Sequence, residues 1–365
     1  MKGEFERYFF ENFIHLDGKK SMPGVIFANH FDSFFTKRSK ARIVFFFEDI
    51  ISNLFLETVN RFGEKRAEEV WYKIGKDFGI RYFLFSNRRF SKCGKERNLE
   101  SVFDYFRASG FGFLEEIIPG SSVDSFRVRG RESVFFDRIN NGSFFAGILA
   151  GLLSGYYNEN LEASFNIDDF GIVLIIASRR FKKRYSPISD FLVPHFNYNK
   201  INSFVKKNES SNRKIGTFLD FLRFKKIRKD ENFNKWSFFD NGVFPVEVGF
   251  LGIVTKRYLD EGMSDVFRSV YIESSREIFN KMLESKPLVK NRASFVVNVL
   301  SGLGWGVPYF IHRKNEVVVR FLNPPFSKYG VLGRAFVLNG IVNSVFGTSY
   351  FLKSAVDSEF VYSLE

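Results

Sequence analysis

The side chains with reactive chemistry are few and far apart. His15, His30, His195 and His312 share no spacing that converges on a metal ion, and a lone cysteine, Cys93, supplies neither a disulfide framework nor a thiolate cluster. Asp168 and Asp169 form an acidic pair in an expected turn, with no second acid–base group placed beside them. Glu68-Glu69 and Glu115-Glu116 fall on a helix and a strand and read as solvated positions. No P-loop, dinucleotide fingerprint or GxSxG elbow occurs. Gly110-Phe111-Gly112-Phe113 and Gly302-Leu303-Gly304-Trp305 close helices instead of following strands, so they read as helix ends and not as phosphate loops. The expectation is a non-enzymatic protein with no catalytic residues, no metal and no cofactor.

What remains is the chemistry of binding. Trp71, Tyr72, Phe78, Tyr82, Phe106 and Phe144 are spaced to surround an apolar cavity, with Gly147 and Gly151 as its floor. The same residues serve equally well as a filled core, because interiors are close-packed. A second candidate is electrostatic. Between Ser178 and Asp230, 15 Lys and Arg stand against 4 Asp and Glu, which concentrates most of the formal charge of +13 in one segment. Arg180, Lys182, Lys183, Arg184, Arg223, Lys225, Lys226 and Arg228, interleaved with Phe and Tyr, are the candidates for nucleic-acid contact. Anionic lipid and a solvated linker are the other readings of that charge. Phe218, Leu219, Phe221, Leu222, Phe224 and Ile227 spread round a helical wheel, which weakens an interfacial helix.

These residues need elements to position them. Asn141 to Tyr157 is apolar on nearly every face, and Gly147, Gly151 and Gly155 line one side of it. Each interior glycine costs about 1 kcal/mol relative to alanine, so the stripe predicts that a helix, a strand or a ligand approaches bare backbone. The uncharged run from Ile139 to Asn158 approaches membrane-spanning length, but its glycines and asparagines dilute it, and no membrane span is expected. Arg42 to Phe47 reads as a short buried strand or the apolar start of the next helix. Helices are expected from Glu48 to the stop at Gly63, from about Lys65 to Phe78, and around Leu99 to Phe106. Strands are expected at Phe113 to Ile118, Ser125 to Phe136, Leu161 to Phe165 and Ile172 to Ala177. This order predicts an α+β fold with an antiparallel sheet. A charged amino terminus without a cleavage site and the scarcity of cysteine suit a cytoplasmic protein.

The later part of the chain repeats the earlier one. Gly63 is followed nine residues on by Tyr72, as Gly262 is by Tyr271; SGFGF at Ser109 to Phe113 returns as SGLGW at Ser301 to Trp305. Strands return at Pro308 to His312 and Glu316 to Phe321, and the late helix at Ala335 to Gly347, with Gly340 matching Gly151. An internal duplication follows, packed as a pseudo-two-fold pair within one chain. The expected divisions are a lead-in at 1–19, a first copy at 20–178, a basic linker or insertion at 179–240, and a divergent second copy at 241–365.

The series FFEDIISNLFLETVNRFGEKRAEEVWYKIGKDFG, then SGFGF, then FFAGILAGLLSGYY ahead of strands, resembles the 4-vinyl reductase domain, which is akin to core subunits of the TRAPP tethering complex. The resemblance covers roughly 20–178 well and 241–365 more weakly, where Ser274 and Phe336 replace Gly75 and Gly147. It implies a tandem of α+β domains, each an antiparallel sheet packed with helices, that pair and enclose an apolar, acyl-like or aromatic small molecule as a sensor or scaffold. It also implies a protein partner or self-association. Members often carry cysteines near the late strands, which suggests a metal; Leu161 to Ala177 has none, so no metal is carried over.

Overall fold

The computed structural model describes residues 23–24, 26–29, 40–90, 113–118, 126–131, 134–157, 159–167, 173–178, 217–230, 235–285, 291–322, 324–325, 330–347, 349–356 and 358–364. The earlier part comprises β1 (Ile26–Asn29), β2 (Lys40–Phe47), α1 (Glu48–Phe62), α2 (Glu64–Phe90), β3 (Phe113–Ile118), β4 (Phe126–Arg131), the single turn α3 (Val134–Asp137), α4 (Ser143–Tyr157), β5 (Glu162–Ile167) and β6 (Val173–Ser178). The later part comprises α5 (Phe218–Arg223), β7 (Ile227–Asp230), β8 (Lys235–Phe238), β9 (Asn241–Glu247), α6 (Val248–Asp260), α7 (Ser264–Glu284), α8 (Arg292–Gly302), β10 (Val307–Arg313), β11 (Glu316–Leu322), α9 (Gly330–Phe346), β12 (Tyr350–Val356) and β13 (Glu359–Leu364).

The fold is α+β. Two four-stranded antiparallel sheets, β3-β4-β6-β5 and β10-β11-β13-β12, have the same strand order. A third sheet, β1-β2-β9-β8-β7, joins the two parts. At its centre β2 and β9 run antiparallel with Phe45 opposite Pro245, and each strand feeds directly into a helix, α1 or α6. The outer neighbours, β1 and β8, are the strands that precede each in the chain.

Pro245 lacks an N–H, yet it sits in a central strand because of where it pairs. Phe45 donates its N–H to the Leu303 carbonyl (2.9 Å) and its carbonyl accepts from the Trp305 indole (2.9 Å), so both groups point away from β9. A proline opposite such a residue costs the ladder nothing. The strand itself is buried on both faces. Ile43 to Phe47 are all shielded from solvent; Phe46 stacks on Trp305 and Phe47 meets Phe279 edge-on. A run of apolar residues without alternation therefore makes a strand rather than a helix start.

The helices cross between the parts. α1 packs against α7, and α6 against both α2 and α9. Asn53 donates to Ser274 (3.0 Å), while the Tyr258 hydroxyl lies within hydrogen-bond reach of Thr58 (2.8 Å) and accepts from the Trp71 indole (3.1 Å). Gly63 and Gly262 turn α1 into α2 and α6 into α7 with φ of 85° and 71°, conformations that favour glycine.

Two expectations need correction. The segment 179–240 is not linker throughout: α5, β7 and β8 are folded elements, and Phe218, Phe221, Ile227, Trp236 and Phe238 are buried in the core. Phe218 stacks on Phe45 at 5.1 Å and Trp236 meets it edge-on at 5.4 Å. The strand expected from Ser125 to Phe136 stops at Arg131, and α3 follows because Phe135 turns inward onto Trp71 and Phe144. The 1–19 lead-in, the helix around Leu99 to Phe106, and SGFGF up to Gly112 lie outside the described residues.

Candidate functional site

The glycine stripe meets a helix, not a ligand. A methyl group on Gly147 would overlap the Tyr72 carbonyl oxygen, and one on Gly151 the Lys76 carbonyl oxygen. The relation is reciprocal: Gly75 and Gly79 of α2 abut the Phe144 and Ile148 carbonyls of α4. Four glycines thus bring two helix backbones together, which is the physical return for their poor helix propensity. This corrects the expectation that Gly147 and Gly151 floor a cavity.

The aromatic residues named with them form packed core. Trp71 and Phe144 are fully buried, and Phe78 nearly so. Phe144 stacks on Phe135 at 4.3 Å and on Phe78 at 6.4 Å, and meets Trp71 edge-on at 5.9 Å. Phe250 of α6 closes the cluster from the later part, 5.6 Å from Phe78 and 5.8 Å from Phe144. Tyr82 lies on α2, but its side chain is outside the described residues, as is all of Phe106.

Tyr72 belongs to a buried polar cluster instead. Its hydroxyl donates to Glu162 and accepts from the Ala163 N–H (3.1 Å). The Lys76 ammonium donates to the other Glu162 oxygen (2.8 Å) and to Asn160 (2.9 Å), with both charged side chains 1% exposed. Burial, then the hydrogen bond to Glu162, raises the Tyr72 phenol well above its usual range. A buried pair of this kind is tolerable only because its remaining hydrogen bonds are met. Further ion pairs tie α2 to the later part: Asp77 to Arg257 (2.5 Å), Arg81 to Glu247 (2.6 Å), and Glu261 to Arg66 (2.6 Å) and Lys73 (2.7 Å). Burial disfavours the Arg81 charge, but the Glu247 carboxylate outweighs it, and its pKa is raised overall. His312 stacks on Phe346 at 5.2 Å; His15, His30, His195, Cys93, Asp168 and Asp169 lie outside the described residues.

The basic candidates divide. Arg180, Lys182, Lys183 and Arg184 lie outside the described residues. Arg223, Lys225, Lys226 and Arg228 lie at the end of α5, in the turn that follows and at the start of β7, and the last three line a cleft of about 540 Å³. Phe224, Phe239 and Phe295 share that cleft, and Phe224 is 70% exposed. A Thr217–Asp220 capping box fixes α5, and buried Phe221 anchors it against Phe238 at 5.3 Å. Sequence reasoning missed Phe239 and Phe295 because they come from β8–β9 and α8, distant in the chain. Lys76 and Glu162 were missed likewise, since nothing local pairs them.

No protein-family model matches the chain, and no curated protein matches it. Among solved structures, the phenol-responsive sensory domain of the transcription activator PoxR, with phenol, is similar over 47% of this chain and 88% of that one, at 13% identity and a TM-score of 0.34. No helix among the described residues is long and apolar enough to cross a membrane.

Proposed function

We propose that the protein is a non-enzymatic binding protein, a small-molecule sensor or scaffold made of two like modules of the 4-vinyl reductase type. The observation that carries this reading is the β2–β9 pair, through which two sheets of the same strand order become one frame. Copying of one ancestral module accounts for the matched order of elements on either side of that pair. The buried charges support a holding role for the frame: Lys76 on Glu162, Asp77 on Arg257 and Arg81 on Glu247 each join separate elements. Binding then falls to ligands or partners that meet the outside of the frame, because the aromatic interior around Phe144 is filled by Phe78, Phe135 and Phe250.

Native mass spectrometry and thermal-shift measurements against small aromatic and acyl compounds test the proposal. The expected result is a single chain that gains the mass of a ligand and melts at higher temperature with it. A panel in which nothing binds removes the sensor version and leaves the scaffold; turnover of any compound overturns the reading.

A further inference from the structure

We propose that the cleft between the α5–β7 turn and the β8–β9 hairpin binds a nucleotide unit, free or within a single strand, with the base against the rings and the phosphate on the cations. Three phenylalanines from three separate elements converge there: Phe224 after α5, Phe239 at the hairpin tip and Phe295 on α8. Phe224 is 70% exposed, the most exposed aromatic ring among the described residues. Phe239 and Phe295 lie 5.9 Å apart in a tilted arrangement at the cleft wall.

The backbone is bent to put those side chains there. Phe239 and Asp240 form a two-residue turn with φ of 45° and 63°, positions where asparagine and glycine are usual and a bulky ring is an outlier. Asn241 and Gly242, which would fill such a turn without strain, come next in the chain but are held in β9. The Asn241 amide donates to the Phe238 carbonyl (3.3 Å) and the Phe239 carbonyl (2.9 Å), locking the tip. Lys225 is also left-handed, with φ of 52°. Three of the four non-glycine residues with positive φ among the described residues therefore line one cleft, and strain of this kind gathers at functional sites.

The charges complete the chemistry. The Lys226 ammonium sits 5.3 Å from the Phe221 ring and 5.9 Å from the Phe224 ring. Arg228 donates to the Lys225 carbonyl (2.9 Å), which fixes its guanidinium beside the turn. Lys225, Lys226 and Arg228 outnumber the one acidic lining residue, Asp240. A site for phosphate alone has no use for an exposed ring, and a site for an apolar molecule has no use for three cations. Rings and cations together are what a stacked base with its phosphate requires, without reading of base edges.

Fluorescence anisotropy with a labelled oligothymidylate of about ten nucleotides tests this, with adenosine monophosphate as competitor. The whole chain is expected to bind at low salt. Phe224→Ala, at an exposed position that leaves the fold intact by circular dichroism, is expected to weaken binding about tenfold. Lys226→Glu with Arg228→Glu is expected to weaken it further and to lower the log–log salt slope by about 1.4. Competition by the mononucleotide identifies a free-nucleotide site; binding of the strand alone identifies a single-strand site. Absence of binding at low salt overturns the proposal. So does a Phe224→Ala variant that binds as the parent does, because the cleft is then an unspecific anion surface. The result is separable from the paired-module proposal, which stands if the cleft fails.

Discussion

The α2–α4 and α7–α9 pairs occupy matching places beside sheets of the same strand order, yet they are packed by different means. In the first pair Gly75, Gly79, Gly147 and Gly151 let the two backbones touch. In the second, Gly340 alone meets a helix backbone, at the Ile272 carbonyl, and Ser274 and Ser275 stand on the facing helix. Ser275 turns its hydroxyl back onto the Tyr271 carbonyl of its own helix, and Ser274 accepts from Asn53 of α1. The polar interiors diverge as well. Tyr72 is tied to Glu162, whereas the buried Tyr271 hydroxyl has no hydrogen-bond partner among the described residues. Strand order is thus compatible with quite different interiors, provided that each half settles its own backbone contacts.

The largest effect is expected at the glycine contact. Gly147→Val forces a branched side chain into the Tyr72 carbonyl and should cost about 4 kcal/mol or more in urea unfolding, or abolish soluble protein. Next comes the buried charge. Lys76→Met strands the Glu162 carboxylate and should cost about 3–5 kcal/mol, while Lys76→Met with Glu162→Leu should cost less than the single change. A double variant worse than the single would show that the pair is no unit.

The two tyrosines sharpen the comparison. Tyr72→Phe removes a hydrogen bond to a charged group and should cost about 1.5–3 kcal/mol. Tyr271→Phe should be neutral or stabilise by up to about 1 kcal/mol, since it removes a buried hydroxyl that satisfies nothing. Equal losses at both would erase the distinction. Burial raises both phenols above their usual range, with the Glu162 hydrogen bond adding at Tyr72 and the Tyr258 charge at Tyr271. Neither shift affects stability below the unfolded value of about 10; as pH rises past it, ionisation favours the unfolded chain and stability falls. Phenolate absorbance from these two residues should appear together with loss of helical circular dichroism.

Much of the frame was legible in the sequence. Gly63 and Gly262 sit where α1 and α6 turn, and the helix from Asn141 to Tyr157 and the late strands fall within a few residues of expectation, because stop signals and periodicity are local. The glycine stripe announced a close approach but not its partner, since Gly75 and Gly79 lie about seventy residues away and touch only after folding. The pairing of Phe45 with Pro245 was hidden for the same reason. In the basic segment, charge masked Phe218, Phe221 and Ile227, which bury against residues from three other elements. The hairpin tip at Phe239-Asp240 was hidden as well, because a phenylalanine is no signal for a left-handed turn. Local patterns set the elements; contacts between distant strands set the cleft.

Everything rests on β2 and β9 acting as one structural unit that binds the two parts. Hydrogen exchange in the native state, followed in peptides spanning Lys40–Phe47 and Asn241–Glu247, measures this directly. The two strands are expected to share one opening free energy, equal to that of global unfolding. Early exchange of either strand, while α2 and α4 or α7 and α9 stay protected, would show two modules that merely touch.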